Sequence, residues 1–396
     1  MQKDLESNIW KITALLVANK RIFVAILSVY YLTIPGVTPF WIGIFLLVGN
    51  GASLIFDVPS SYVADKIGHK YALVLSRVSM ILSTLFFLFA TNVWWLVFGS
   101  IFLSTGFAFM SGVGSAFMHE TLRGLGREGE YRTVMGKASS IGFAIPAILA
   151  AIIPFTVSIS YKVPFLIGLV LDCAGLIVAF ALIRPPVTPD HVAETSGTNY
   201  LEVIRQGLAL RFFRIALFSG VVSALLDGVG VWRSPYQQLL GVPVIWFGIF
   251  FGAGRVLASV MLAYSGTIHR LVGDVYSYQR TQIIVYGALL LTVGLITNPW
   301  VVVVAYIFIN GLQYGMSQID TGYLLDIIRD SKFKATLIST SNQLENILSM
   351  VVVGTMGYAI TQLGYQHSFL ILSGIFFLIL VPFYLYILHN AKNRSS

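Results

Sequence analysis

The segment Ser61-Tyr-Val-Ala-Asp65-Lys66-Ile-Gly68-His69-Lys70 is a short, mainly basic stretch between two long apolar runs. It stands out because only 11% of the 396 residues are charged, whereas 57% are hydrophobic and the mean hydropathy is +0.82. A soluble chain of this length needs more polar residues to cover its surface. The segment is therefore predicted to be a turn at a membrane surface, between two spanning helices.

Apolar runs of about 20 residues, long enough to cross a bilayer as helices, recur along the whole chain. They predict an all-α integral membrane protein with twelve spans, at roughly 10–33, 39–63, 71–90, 94–118, 133–157, 163–183, 212–236, 243–266, 281–297, 300–323, 335–361 and 367–389. A polar, proline-rich stretch separates them into two sets of six. The predicted domains are an N-terminal six-helix bundle (1–183), a cytoplasmic linker with an amphipathic helix (184–211) and a C-terminal six-helix bundle (212–396).

Lysine and arginine occur almost entirely in alternate loops, and the opposite loops contribute only Lys162. The positive-inside rule then predicts that both termini are cytoplasmic, in a multi-pass protein of the plasma (inner) membrane. The same placement explains the net charge of +8 without a nucleic-acid partner. We expect the lipid bilayer, a small-molecule substrate and protons as partners, and a monomer.

Several classes of chemistry have no support in the sequence. The single cysteine, Cys173, lies within an apolar run, so neither a disulfide framework nor a thiolate metal site is expected. There is no phosphate-binding Gly-x-x-x-x-Gly-Lys-Ser/Thr loop and no His/Glu metal cluster. We therefore predict no cofactor, no metal site and no enzymatic activity.

The opening segment resembles the loop between helices 2 and 3 of the major facilitator superfamily, Gly-x-x-x-Asp-Arg/Lys-x-Gly-Arg/Lys-Arg/Lys. Asp65, Lys66, Gly68 and Lys70 match it at the right spacing, whereas Ser61 and His69 depart from it. With the twelve spans and the central divider, the resemblance covers essentially the whole chain. It implies a twelve-helix secondary transporter that works by alternating access.

In this family the aspartate of the loop helps to latch the two halves together on the cytoplasmic side. The resemblance therefore implies a conformational latch, and we assign to it six residues: Asp57, Asp65, Lys66, Gly68, Lys70 and Arg77. Asp65 would act against the start of helix 11, near residues 334–336, where the helix dipole favours an anion. Two alternatives remain: the basic residues only set topology, and Arg77 only snorkels or pairs near the loop.

Four cations are expected at membrane depth, where a charged side chain is costly and usually functional. They are Lys20 and Arg21 in span 1, Arg233 in span 7 and Arg255 in span 8. Neighbouring helix positions point about 100° apart, so only one of the first two is expected to face a cavity. The alternative is that span 1 starts late and both snorkel to the surface. Aromatic and amide residues complete a predicted substrate site: Tyr30, Trp232, Gln313 and Asn342.

Three acids within the spans are candidates for proton coupling: Asp172, Asp227 and Glu345. A carboxylate held away from water can be tuned to bind and release a proton near neutral pH, as proton coupling requires. The alternative for each acid is a structural ion pair, for example Asp227 with Arg255 or Glu345 with Arg21.

The leading functional prediction is a proton-coupled secondary transporter of a small organic, anionic solute, because cations dominate the predicted cavity. The first alternative is a proton-driven efflux pump for amphipathic or cationic compounds. Helix 5, around Pro146, lacks the Gly-Pro-x-x-Gly-Gly stretch that drug/proton antiporters of the superfamily often carry, which disfavours this alternative. A non-transporting membrane receptor is the alternative from another class.

Overall fold

A computed structural model describes residues 2–111, 113–185, 212–328 and 334–392, and every regular element in these ranges is a helix. Helices are expected here because apolar segments in a bilayer can satisfy backbone hydrogen bonds only internally. The α-helices are α1 Gln2–Ala18, α2 Leu27–Tyr31, α3 Pro39–Ile67, α4 His69–Leu88, α5 Val93–Met110, α6 Val113–Gly124, α7 Tyr131–Ile152, α8 Val163–Phe180, α9 Phe212–Gly230, α10 Arg233–Leu239, α11 Phe247–Ala263, α12 Ser265–Val272, α13 Val275–Leu295, α14 Pro299–Ile327, α15 Lys334–Leu363 and α16 Tyr365–Lys392. The predicted amphipathic helix at 200–211 lies outside the described residues.

Within the described part of the chain, ten helical stretches are long and apolar enough to cross a bilayer. They are Pro39–Asp57, His69–Leu88, Val93–Gly124, Thr133–Ser158, Val163–Phe180, Phe212–Leu239, Val244–Ala263, Pro299–Ile327, Leu337–Leu363 and Tyr365–Asn390. These correspond to ten of the twelve predicted spans. The protein is therefore an all-helical, multi-pass membrane protein.

The two remaining predicted spans, 10–33 and 281–297, do not meet this criterion, for different physical reasons. The first is not one helix: α1 ends at Ala18 and α2 begins only at Leu27. The second coincides with α13, whose first two turns carry Gln279, Arg280 and Gln282 and so lower its hydropathy. A count of twelve therefore remains a prediction.

The helices pack into two units. Unit 1 contains α1 to α8 together with Val244–Ile249, and unit 2 contains α9, α10 and the helices after Ile249. In unit 1, α4 packs against both α5 and α8, and α1 packs against α7. In unit 2, α9 packs against α15, and α13 packs against α16.

Small residues let α4 and α5 approach closely in unit 1. Ser76 Oγ donates to the Gly106 carbonyl at 2.7 Å, and Ser83 Oγ donates to the Gly99 carbonyl at 2.8 Å. A Cβ atom added to Gly99 would lie 2.4 Å from the Phe87 ring. Close backbone approach and hydrogen bonds to helix carbonyls are the usual way in which spanning helices associate without a hydrophobic driving force.

The polar segment Ser61–Lys70 contains the turn between α3 and α4. Gly68 ends α3 with φ +103°, a backbone conformation that residues with a Cβ rarely adopt. His69, one of the departures from the family pattern, places Nδ1 2.9 Å from Glu120 Oε2. The Asp65 side chain lies outside the described residues, so its latch role stays a prediction. Asp57 is exposed on α3, and the Lys66 ammonium donates to the Tyr62 hydroxyl at 3.1 Å.

The first long helix of each unit is interrupted at a comparable place. In unit 1 the interruption follows Ala18, and in unit 2 it falls between Gly230 and Arg233. The sequence predicted continuous helices at both places. The predicted cations Lys20, Arg21 and Arg233 lie in or directly beside these two interruptions.

Candidate functional site

One group of polar side chains inside unit 1 joins the α1 interruption to α4 and α8. We call it the arginine–aspartate cluster, and its members are Asn19, Arg21, Arg77, Thr84 and Asp172. Arg21 Nη1 lies 2.7 Å from Asp172 Oδ2, and the two side chains are only 6% and 1% exposed. The Thr84 hydroxyl donates to the same carboxylate oxygen at 2.7 Å. Asp172 is therefore a buried ion-pair partner of Arg21.

Arg77 belongs to the same cluster. Its side chain is fully buried, and Nη2 donates to Asn19 Oδ1 at 2.7 Å and to Ser76 Oγ at 3.2 Å. The expectation that Arg77 snorkels or pairs near the α3–α4 turn is wrong, because α4 aims its side chain at the α1 interruption. Asn19 lies just after the end of α1, and its side-chain oxygen accepts the hydrogen bond from Arg77 there.

Positive charge exceeds negative charge in the arginine–aspartate cluster. Two buried guanidinium groups face one carboxylate, and Arg21 Nε and Nη2 and Arg77 Nε and Nη1 have no hydrogen-bond partner among the described residues. Removing an ion from water costs several kcal/mol unless a counter-charge and hydrogen bonds compensate for it. The cluster is therefore suited to an additional anion.

A second group, inside unit 2, joins α9, α14 and α15. We call it the carboxylate cluster, and its members are Ser223, Asp227, Gln313, Glu345 and Ser349. Asp227 accepts hydrogen bonds from Gln313 Nε2 at 3.0 Å and from the Ser349 hydroxyl at 2.7 Å. Glu345 accepts a hydrogen bond from the Ser223 hydroxyl, and Gln313 Nε2 also lies 3.5 Å from Ser223 Oγ. The two carboxylates thus share a single hydrogen-bonded network.

Neutral groups make all of the hydrogen bonds described for these two acids. The proposed structural pair of Asp227 with Arg255 is not what the structure shows, because Asp227 is bonded to Gln313 and Ser349 instead. The alternative ion pair between Glu345 and Arg21 is not found either, because the carboxylate partner of Arg21 is Asp172. The ion-pair alternative is therefore correct for Asp172 alone among the three predicted coupling acids.

Two arginines in unit 2 pack against aromatic faces. The Arg255 guanidinium carbon lies 3.7 Å from the centre of the Tyr314 ring and 4.9 Å from that of Phe251. Arg233 approaches the same Phe251 ring at 5.2 Å. Such cation–π contacts hold a guanidinium group in place while leaving donors in its plane for other partners. The predicted cations Arg233 and Arg255 are therefore neighbours around Phe251.

Comparison with known proteins identifies the family. The family model described as Major Facilitator Superfamily matches residues 9–344. The chain belongs to the Major Facilitator Superfamily. Its family and structural relatives are transporters and not enzymes, which agrees with the prediction that this chain has no enzymatic activity. No curated protein sequence resembles the chain closely enough to match it.

Solved structures of this superfamily resemble the chain over nearly its whole length. The nucleoside transporter NupG superposes with a TM-score of 0.75 at 14% identity, covering 96% of this chain and 98% of NupG. A bacterial homologue of the human lysosomal transporter Spinster gives 0.67 at 14% identity, with 96% of each chain covered. A POT family transporter in complex with 5-aminolevulinic acid gives 0.68 at 14% identity, covering 98% of this chain and 96% of that one. At these identities the likeness shows the fold alone.

The structure separates the other predicted substrate-site residues of this transporter into two groups. Lys20 and Asn342 are exposed. Tyr30 and Trp232 are buried, and the Tyr30 hydroxyl donates to the Phe87 carbonyl. Tyr30 and Trp232 therefore contribute to packing next to the two helix interruptions, and their role as substrate contacts stays a prediction. Of the two neighbouring cations, Arg21 and not Lys20 is the one directed into its unit.

Sequence reasoning missed the hydroxyl and amide partners in both clusters: Asn19, Thr84, Ser223 and Ser349. The sequence did contain a signal for Ser223 and Ser349. Ser223 is four residues from Asp227, and Ser349 is four residues from Glu345. Residues four apart lie on the same face of a helix. The partners of Arg77 and Asp172 are distant in sequence, so only the packing of α1, α4 and α8 could reveal them.

Proposed function

We propose that this protein is a proton-coupled secondary transporter that carries a small organic anion by alternating access through twelve spans. The observation that carries the proposal is the unequal distribution of buried charge. Unit 1 has two buried arginines for one aspartate, whereas the acids of the carboxylate cluster are bonded to neutral donors. We place the protein in the plasma (inner) membrane, as a monomer with both termini in the cytoplasm.

Asp227 and Glu345 are the coupling acids in this proposal. A carboxylate bonded only to hydroxyl and amide groups can gain or lose a proton without breaking an ion pair. Asp172, in contrast, would have to release Arg21 on protonation, so we assign it as a fixed counter-charge. This assignment leaves two of the three predicted acids as candidates for proton coupling.

An anionic solute is favoured because unpaired guanidinium donors are available in the arginine–aspartate cluster and because Arg233 and Arg255 are held on aromatic faces. Arg binds carboxylates with a planar, two-donor geometry. The structural neighbours do not decide the substrate, since they include a nucleoside transporter and a POT transporter bound to 5-aminolevulinic acid. The substrate class therefore rests on the charges of this chain.

Proton uptake into pyranine-loaded proteoliposomes tests coupling across a panel of solutes of different charge. The solutes are lactate and citrate as anionic acids, 5-aminolevulinic acid as a zwitterionic acid, uridine as a neutral compound, and tetraphenylphosphonium as a cation. We expect an acid to start proton flux in the wild type, and Asp227→Asn and Glu345→Gln to reduce this flux at least about ten-fold, a change of about 1.4 kcal/mol. Asp274→Asn, an exposed site outside the network, is the matched control.

Arg255→Gln tests the anion preference in the same vesicles. Loss of a charge-assisted hydrogen bond, at about 1.5–3 kcal/mol, should raise the half-saturating concentration of the active acid at least about ten-fold. Unchanged transport of every active solute would contradict this role. Flux started only by tetraphenylphosphonium would instead support the efflux alternative, and binding of a solute without any flux would support the receptor alternative.

A further inference from the structure

A groove of about 670 Å³ runs along unit 1 between α1, α7 and α8, and no member of the arginine–aspartate cluster lines it. Most of its lining residues are aliphatic. Branched and long side chains from all three helices form its walls, including Ile9, Val17, Ile141, Ile145, Leu171 and Val178. None of the residues predicted for the substrate site, for proton coupling or for the latch lines this groove.

Small residues at the base of the groove explain why it exists. Ala14 and Ala18 on α1 face Ala174 and Gly175 on α8. Gly175 permits this close approach, because a Cβ in its place would lie 3.1 Å from the Ala18 methyl carbon and 3.2 Å from Arg77 Cδ. The empty space therefore lies beside the helix contact, where Ile141, Ile145 and Ala174 are exposed.

The length of the groove matches one leaflet of the bilayer. Its lining residues on α1 extend from Glu6 to Ala18, which is about 18 Å along a helix. Half of a hydrocarbon core about 30 Å thick is about 15 Å. An extended acyl chain would therefore fit lengthwise, with its polar end beside Glu6, Arg127 and Lys137.

The charged residues at that end differ in whether they are neutralised. Arg127 lies 2.9 Å from a Glu6 oxygen and 2.8 Å from a Glu130 oxygen, and its hydrogen bonds hold the pKa of Glu130 below the usual value. Lys137 is exposed and forms no ion pair with any described residue. Trp10, which is 57% exposed, lines the same end, where an indole ring suits the headgroup region. The groove thus combines an apolar trough with one available cation at its rim.

We propose that the groove is a binding site for an anionic membrane phospholipid, with one acyl chain in the trough and the phosphate bound by Lys137. The aliphatic walls select a hydrocarbon chain, and the cation selects a headgroup with net negative charge. The leaflet is the one nearest the basic loop that precedes α7, where Lys137 can reach the phosphates. The groove is lined by none of the residues predicted to bind the solute, so the proposal would hold whether or not the solute is an anion.

Lipid retention by the purified protein tests the site. Wild type and variants are equilibrated in micelles containing equal amounts of phosphatidylglycerol and phosphatidylcholine and then passed through lipid-free detergent, and retained lipid is counted by native mass spectrometry. We expect the wild type to retain more phosphatidylglycerol than phosphatidylcholine. One lysine near anionic lipid is worth about 1 kcal/mol, so Lys137→Gln should reduce this preference about five-fold.

Two further variants separate the headgroup from the chain. Ala174→Phe fills the exposed trough and should abolish retention of both lipids, whereas Lys162→Gln, at the opposite end of α8, should behave as the wild type. Because residues 137, 162 and 174 are all exposed, the variants should unfold at the wild-type temperature. Equal retention of the two lipids by the wild type, or unchanged preference in Lys137→Gln, would overturn the proposal. Binding of inorganic phosphate by a protein that retains no lipid would also overturn the proposal.

Discussion

Asp172 illustrates how the partners of a residue decide its role. It has the same side chain as Asp227 and a similar central position in a spanning helix, yet the first contacts Arg21 at 2.7 Å and the second contacts only amide and hydroxyl groups. An ion pair keeps a carboxylate charged, whereas neutral hydrogen-bond donors are compatible with both the charged and the protonated form of the carboxyl group. Two aspartates with equivalent sequence contexts therefore receive different roles.

At Asp172 we expect a large loss of stability on neutralisation. Asp172→Asn would leave the guanidinium groups of Arg21 and Arg77 buried without a counter-charge, which typically costs about 3–5 kcal/mol. The free energy of unfolding in mixed detergent micelles measures this loss. The double variant Arg21→Gln with Asp172→Asn removes one of the uncompensated charges and should recover part of the stability. A single variant as stable as the wild type would show that Asp172 is not the counter-charge.

Among the elements, α4 and α5 show how two apolar helices associate inside a bilayer. Neither helix gains from removing apolar surface from water, because lipid chains are equally apolar. Their contact relies instead on close packing at Gly99 and Gly106 and on hydroxyl bonds from Ser76 and Ser83 to backbone carbonyls. The glycines are thus required by space and not by backbone conformation.

Gly99→Ala should therefore destabilise the α4–α5 pair. The added methyl carbon would meet the Phe87 ring at 2.4 Å, and overpacking of this kind costs about 1–3 kcal/mol. Gly374→Ala in α16 is the matched control, because no atom lies within 4 Å of the added carbon and alanine favours the helix. Chemical unfolding in micelles compares the two. Equal stability of both variants would contradict the packing argument.

The interruptions of α1–α2 and α9–α10 lie at corresponding places in the two units. A broken helix at membrane depth exposes backbone polar groups, which is tolerated only where protein or a water-filled cavity surrounds them. Discontinuous helices of this kind commonly mark the binding region of transporters built from two related halves. In this protein the interruptions coincide with Arg21 and Arg233, which agrees with the residues proposed to attract the solute.

For the whole molecule, loop charge is the property from which the orientation in the membrane is predicted. Arg123 and Arg127 precede α7, whereas the loop before α8 carries only Lys162. The alternation of basic and nearly uncharged loops continues along the chain, and the positive-inside rule predicts from it that both termini are cytoplasmic. The predicted topology therefore rests on composition distributed over many loops and not on one motif.

Labelling of single cysteines tests this orientation. In a Cys173→Ala background, Ser160→Cys should react with a membrane-impermeant maleimide in intact cells, and Gly129→Cys should react only after the cells are permeabilised. Both positions are exposed, so differences in reaction report the side of the membrane. The reverse pattern would place the termini outside the cytoplasm.

The sequence by itself determined the features that depend on composition along the chain: the membrane class, ten spans of suitable length and the family resemblance around Gly68. These follow from local apolar runs and from one turn whose φ of +103° requires glycine. It also indicated Arg21, Asp172, Asp227 and Glu345, because charges are conspicuous in an apolar background.

Only the tertiary structure decided how those charges are partnered. Asp172 meets Arg21 across about 150 residues of sequence, and Arg77 meets Asn19 because α1 stops at Ala18. The polar segment Ser61–Lys70 likewise predicted a turn, whereas its His69–Glu120 contact depends on the helix that packs beside it. The physical reason is that a charge is costly in the membrane wherever it lies, but its partner is chosen by helix packing, which local sequence does not encode.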